Sequence, residues 1–276
     1  QLQMRRSKIG FNRLCAVFIS HIHGDHCFGL IGMLSSFGLL GRTMPLAIYA
    51  PKELKPVLDM LLETFCNDFD YEIQFHAVDT KKRAVIYEDR SLTVESIPLK
   101  HREPCAGFLF REKPTLPHIR RDMIDFYQIP VSQINNIKNG ASWTDEDGNV
   151  IPSSRLTRPA DPPRSYAYCS DTCYLPELHK QLEGTTCIYH ETTYATEDEE
   201  KAMKYCHSTA AQAAQVFAII ADKRSGNIVA RHCHEGVAKA VLAVVHLDKG
   251  CHHAVEIIEG VVRTGKVLAT IVVHRF

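Results

Sequence analysis

The run "AVFISHIHGDH", Ala16 to His26, constrains this chain more than any other stretch. Ala16 to Ser20 reads as a buried strand, and His21, His23, Asp25 and His26 follow it directly. A strand that ends in four metal-competent side chains asks for a fold that gathers such ends at one edge. Side chains at i and i+2 share a side in extended or tightly turned backbone. His21 and His23 can then hold one ion while Asp25 and His26 turn to a second, with Gly24 expected to permit the sharp turn between the pairs. Imidazole and carboxylate donors suit Zn²⁺, and also Mn²⁺ or Fe.

Further elements repeat the arrangement. "LAIYAP" reads as a strand stopped by Pro51, and Lys55–Phe65 has helical periodicity. "YEIQFHAV" and "AVIYEDRSLTVESIPL" alternate and predict a β-ribbon; "CAGFLFRE" is another strand. "SYAYCSD" is a strand ending at Asp171, and "TCIYHET" one ending at His190 and Glu191. "STAAQAAQVFAIIADK" reads as a helix capped by Ser208 or Thr209. "NIVARHCH" is a strand carrying His232 and His234; a helix-like run and a terminal strand, "KVLATIVVHRF", follow. With His101 after "ESIPLK", strand after strand ends in a metal-competent or acid–base residue. Layered α/β folds build pockets along such edges.

Residues 113–164 break the pattern and read as an inserted arm, opened by "KPTLP", holding a short helix at "RDMIDFYQI" and closed by "RLTRPADPPR". Its entry concentrates Arg111, Lys113, Arg120 and Arg121, with His118 among them. Basic side chains on an arm can grip phosphates. This grip has to be local, because 32 basic and 32 acidic residues cancel over the 276-residue chain. No aromatic platform for stacking single strands is evident in the arm. No apolar run reaches the roughly 18 residues that span a membrane. No Lys/Arg-flanked secretory segment opens the chain, and its ten cysteines lack zinc-finger spacing. They read as reduced thiols, and a cytoplasmic location without a membrane partner is expected. A serine nucleophile has no strand–Ser–helix elbow to support it.

"HIHGDH" resembles the signature of the metallo-β-lactamase superfamily, whose αβ/βα sandwich carries a two-metal hydrolase site on one edge. The longer string "FISHIHGDHCFGLIGMLSSFGLLGR" resembles the ribonuclease Z family, endonucleases that mature the 3′ end of tRNA. "PLKHREPCAGF", "YAYCSDT", "YHETTY" and "CHSTAAQAA" continue the resemblance in order along the chain. It implies an α/β metallo-β-lactamase sandwich over residues 1–276 and a tRNA-binding exosite at 113–164. It also implies two Zn²⁺ per subunit: His21, His23 and His101 on the first, Asp25, His26 and His232 on the second, Asp171 bridging. Asp25 would accept a proton from the attacking water, and Glu191 would orient His207 against the scissile phosphate. The implied partners are precursor tRNA and a second copy of the chain, whose arm clamps the tRNA.

The chain departs from the family pattern in places. Thr192 stands where the family has Ala, and Val131-Ser132 replaces a Gly-Pro pair in the arm. "HCHEGV" replaces the string expected after the last ligand, which leaves His234 as an alternative to His232. The family's opening strands, with an Asp-Cys-Gly-Glu-Gly-Thr segment, are absent before "QLQMRRSKIGF". The chain is therefore expected to be a fragment of its gene product or to need a partner surface. Two other functions fit less of the chain. A superfamily hydrolase for small phosphodiesters or thioesters has no use for the arm. A weakly active tRNA- or metal-binding relative would account for the divergence after His232 and would bind two ions without cleaving.

Overall fold

The computed structural model describes residues 6, 14–66, 69–222, 229–232 and 240–244, with the backbone alone for 219–222 and the last two segments. They fall into two compact units: residues 1–88, 93–110 and 165–276, here the body, and residues 89–92 and 111–164, here the arm.

The body begins with a three-stranded parallel sheet in the order β1 (Ala16–Phe18), β2 (Leu46–Pro51), β3 (Ile73–Val78). β2 is central, and its Leu46, Ile48, Tyr49 and Ala50 are all buried. A parallel strand between two neighbours calls for such a continuous apolar run. Helix α1 (Gly24–Leu39) leads from β1 toward β2, and α2 (Leu54–Phe65) follows β2. α1 buries Leu30, Met33, Leu34 and Phe37, a stripe at i, i+3, i+4 and i+7. They pack with Val17, Leu46 and Ile48 of the sheet.

A seven-stranded sheet contains β4 (Ala84–Glu88), β5 (Leu92–Leu99) and β6 (Cys105–Glu112) at one end. β4 and β5 pair antiparallel as an expected ribbon, but β3 does not join them. Its register with β2 runs from Leu46↔Ile73 to Pro51↔Val78. Alternation identified a strand there but carried no information about its partner.

In the arm, β7 (His118–Ile119) pairs with β10 (Thr157–Arg158), and β8 (Trp143–Thr144) with β9 (Val150–Ile151). Helices α3 (Arg121–Phe126), α4 (Val131–Lys138) and α5 (Ser153–Leu156) complete it. Ile129, Ile137, Ile151 and Leu156 form a small core of the arm's own, packed by Met123, Ile124, Tyr127 and Trp143. At its base the Glu112 amide donates to the Arg164 carbonyl at 2.9 Å. The Arg164 guanidinium meets the Glu112 carboxylate through Nε, 3.0 Å from Oε1, and Nη2, 2.5 Å from Oε1. The two ends of the insertion are thus tied to each other.

The chain then completes the large sheet in the order β13-β14-β12-β11-β6-β5-β4, where β11 is Ser165–Cys169, β12 Cys187–Glu191, β13 Val229–His232 and β14 Ala240–Val244. β11 and β12 are parallel, with Cys169 opposite His190. β14 lies in the stretch expected to be helix-like, yet it pairs antiparallel with β12. Short Ala/Val-rich runs fit either period, and the neighbouring strand decides. "KVLATIVVHRF" and His234 lie outside the described residues. Helix α6 (Leu178–Leu182), α7 (Glu199–Tyr205) and α8 (Ala210–Asp222) follow β11 and β12. Thr209 caps α8 reciprocally with Gln212: the Gln212 amide donates to Thr209 Oγ1 at 3.3 Å, and the Thr209 amide to Gln212 Oε1 at 3.0 Å.

Ala213, Val216 and Phe217 of α8 pack with Ile97, Leu109, Ala167 and Ile188 of the large sheet. Phe18 of β1 meets Phe108 and Phe110 of β6 at ring distances of 5.4 and 5.3 Å. Helices therefore cover each sheet while aromatic rings join the two, the layering of an αβ/βα sandwich. One glycine is sterically required. A Cβ on Gly107 would lie 2.6 Å from the Tyr168 carbonyl oxygen, where β6 and β11 approach.

Candidate metal centre

His21 follows β1, and the chain passes through His23, in extended conformation, into α1. Gly24 is the first residue of that helix rather than a turn. Its φ is not positive, and the nearest atoms a Cβ there would meet belong to the Phe28 ring, which is 76% exposed. The helix itself separates the two ligand pairs. His26 lies one turn before Leu30 on the buried stripe and turns inward, while the Asp25 side chain is 68% exposed.

Four of the expected residues converge. Donor atoms of His21, His23, His101 and Asp171 all lie within 4.8 Å of one another. His23 Nδ1 is 3.0 Å from His21 Nε2 and 3.1 Å from His101 Nε2. Asp171 Oδ2 is 3.8 Å from His21 Nε2, 3.9 Å from His101 Nε2 and 3.4 Å from His26 Nε2. It thus stands between the His21–His101 group and His26.

These residues fit a cation by their hydrogen bonding. His101 Nδ1 lies 2.8 Å from the Cys206 carbonyl, which can only accept, so Nδ1 carries the proton. His101 Nε2 then presents a lone pair to the cluster, as a metal ligand must. His26 is buried; among the described residues its Nδ1 has no hydrogen-bond partner, and its Nε2 has only the ion-pair approach of Asp171 and Asp25, at 3.4 and 3.7 Å. Buried polar groups rarely stay unpaired, and a nearby ion would satisfy this one. Burial, then the charge of His26, push His21 down to about 3. Burial lowers His101 too, against the raising effect of the Cys206 carbonyl. Both imidazoles are neutral near pH 7, the form that ligates. Burial raises the Asp171 carboxyl, but contact with His26 and the charges of His26, His21 and His207 outweigh it and bring it to about 2.

Beside this cluster stands a second pair. His207 Nδ1 donates to Glu191 Oε1 at 3.0 Å, and the His207 ring is 4.9 Å from that of His101. Glu191 is buried and collects backbone donors as well. Oε1 accepts from Thr172 N at 3.1 Å and Ser208 N at 3.0 Å, and Oε2 accepts from Thr193 N at 2.8 Å. Burial lowers the His207 imidazole, but the hydrogen bond and charge of Glu191, with Asp171, outweigh it and raise it. His190 is resolved by strand alternation. It points away from Glu191, is buried, and sets its ring edge-on to Phe217 at 6.2 Å. It is a core residue, held neutral by burial.

A cleft of about 200 Å³ opens over these groups, lined by His23, Asp25, His26, Asp171, Glu191 and His207, with Tyr168, Ser170, Tyr189 and Thr193. His232 ends β13, and its side chain lies outside the described residues. In the arm, Arg120 Nη2 already pairs with Asp122 Oδ2 at 2.7 Å, while Arg121 is exposed and Arg111 and Lys113 are half-buried.

Residues 1–119 match the family model of a beta-lactamase superfamily domain. Ribonuclease Z of Bacteroides fragilis is 53% identical over 216 residues, covering 78% of this chain and 71% of that protein. Ribonuclease Z of Bacteroides thetaiotaomicron is 53% identical over 78% of this chain and 68% of its own length. The chain belongs to the ribonuclease Z family. Human tRNase Z, short form, shares the fold at a TM-score of 0.55 and 19% identity, over 80% of this chain and 73% of that one.

Within this ribonuclease Z frame, sequence reasoning missed the supporting layer. Ser170 Oγ donates to Ser20 Oγ at 2.9 Å, and Ser20 Oγ is 3.0 Å from His21 Nδ1. The period-2 pattern Tyr168, Ser170 could have placed Ser170 on the cleft side of β11. The Cys206 carbonyl left no such signal, because a backbone acceptor is the same at every residue.

Proposed function

We propose that this chain is a zinc-dependent endoribonuclease that cuts precursor tRNA at its 3′ end, leaving a 3′ hydroxyl on the tRNA and a 5′ phosphate on the trailer. One observation carries the reading: the His21, His23, His101 and Asp171 donor group lies beside the Glu191–His207 pair in a member of the ribonuclease Z family. Family membership carries the coarser statement, a metal-dependent endonuclease acting on tRNA.

His21, His23 and His101 would hold one ion, and Asp25, His26 and His232 the other, with Asp171 shared. Two bound ions supply positive charge against the phosphate and acidify the attacking water. Asp25, exposed at the cleft mouth, takes the proton of that water as its oxygen attacks phosphorus. His207, whose protonated form Glu191 favours, faces the scissile phosphate and gives its proton to the departing 3′ oxygen as the P–O3′ bond breaks. Glu191 itself stays ionised and fixes the ring. Arg111, Lys113, Arg120 and Arg121 grip the tRNA backbone from the arm. A homodimer, in which the arm of one subunit serves the cleft of its partner, and a cytoplasmic location complete the proposal. Among the described residues no helix is long and apolar enough to cross a membrane.

The test is cleavage of a precursor tRNA with both product ends mapped, after chelation and titration with Zn²⁺ or Mn²⁺. A single cut with the stated termini, restored as the second equivalent of metal binds, is expected. Tight binding of two equivalents with no cut would overturn the reading in favour of a binding protein.

A further inference from the structure

Beside His207 lies a rim of aromatic and cationic side chains that the proposed reaction does not use. The Arg102 guanidinium carbon sits 4.6 Å from the centre of the Tyr205 ring, and Lys204 Nζ 5.4 Å from it. Tyr194 lies nearly parallel to Tyr205, at 11° and 6.4 Å, and 5.9 Å from the His207 ring. Arg102, Lys204 and Tyr205 are exposed and Tyr194 is half-buried. No carboxylate among the described residues pairs with Arg102 or Lys204, in contrast to Arg120, Arg83 and Arg164.

We infer that Arg102, held over the Tyr205 ring, is a substrate-positioning residue that grips an RNA phosphate next to the one being cleaved, with Lys204 and the Tyr205–Tyr194 pair completing a nucleotide subsite. This inference rests on the tRNA-cleaving reading.

Four physical points carry it. A guanidinium on an aromatic face is fixed in orientation but keeps its N–H edge free, and that edge matches a phosphate bidentately. Ordering such a side chain in advance removes much of the entropy cost of binding. The position is also set by neighbours with established places in the site. Arg102 follows His101, Tyr205 ends α7, and only Cys206 separates Tyr205 from His207. Tyrosine rings beside cations that no carboxylate among the described residues pairs are a surface that single-stranded RNA takes by stacking and charge together.

The test compares Arg102→Ala, Arg102→Lys and Tyr205→Leu with the unsubstituted protein on precursor tRNA and on bis(p-nitrophenyl) phosphate, which has no neighbouring phosphate. For Arg102→Ala, KM for precursor tRNA should rise about tenfold, the loss of one charge-assisted contact, with kcat changing less. The preference for precursor tRNA over the small diester should fall by the same factor. The slope of log(kcat/KM) against log salt should shrink by about one phosphate contact. Arg102→Lys should recover part of the KM, and Tyr205→Leu should show a smaller rise. An unchanged KM and salt slope in folded Arg102→Ala overturns the inference while leaving the tRNA reading intact. Equal losses on both substrates would assign Arg102 a structural role and also overturn it. If the unsubstituted protein hydrolyses the diester but does not cut precursor tRNA, the substrate reading fails and takes the subsite with it.

Discussion

At the sheet edge, the Asp171 side chain is 17% exposed and faces the ring nitrogens of His21, His26 and His101 within 4 Å. In the arm, Arg120 is 41% exposed and faces one carboxylate of its own helix. The two regions hold charge for different ends. The body directs hydrogen bonds at three of its groups: Cys206 at His101, four donors at Glu191, Ser20 at His21. Buried, pre-oriented groups cannot be exchanged cheaply, which suits chemistry at fixed positions. A surface ion pair such as Arg120–Asp122 adds little to stability, because water screens the charges. Arg120 can therefore give up Asp122 for a phosphate at little cost, as the proposed tRNA grip of the arm requires.

The sharpest way to break this contrast is at the carboxylate nearest three imidazoles. Asp171→Ala should lower precursor-tRNA cleavage by about three orders of magnitude or more while tRNA still binds in a gel-shift assay. Cleavage within tenfold of normal would remove Asp171 from the site. Replacing residues 113–164 with a short Gly/Ser link should abolish precursor-tRNA cleavage yet leave turnover of bis(p-nitrophenyl) phosphate measurable. Parallel loss of both would deny the division between chemistry and grip. Glu191→Gln should lower kcat about 10²-fold, the scale of a lost general acid. It should also move the alkaline limb of the pH profile. Glu191 raises His207, so the protonated acid persists to higher pH; without that charge the limb falls at lower pH. An unmoved limb would take the general-acid role from His207. The smallest effect concerns the arm alone. Leu156→Ala should cost about 2–5 kcal/mol of local stability, because only four buried side chains form that core. Hydrogen exchange should show arm amides losing protection while β11 and β12 keep theirs; uniform loss would mean the arm core is not separate.

Much of the fold was legible because its signals are local. "AVFISHIHGDH" marks a buried strand and its candidate ligands, and β2, α2, β6, β11 and β12 stand within a residue or two of their expected places. Partner choice was not legible. β3 joins β2 instead of the ribbon, and β14 is a strand where composition suggested helix. Both outcomes depend on neighbours distant in sequence. The site divides similarly. The donor side chains could be picked out one by one, but only the fold brings His101 and Asp171 against His21 and His23. Gly24 was read as a hinge, whereas a helix start separates the two ligand pairs. The groups that hold the ligands were invisible where they are backbone atoms.

Cys206 has a left-handed backbone, with φ of 58°, and its carbonyl receives the His101 Nδ1 proton. The tautomer of a central imidazole is thus fixed by an atom that every amino acid carries. Codon changes at position 206 can alter the side chain but cannot delete the acceptor; only residues that refuse the left-handed turn would displace it. Glycine, asparagine or aspartate there should all preserve the polarity of His101. The site is in this respect buffered against drift, its wiring inherited from chain geometry instead of residue identity.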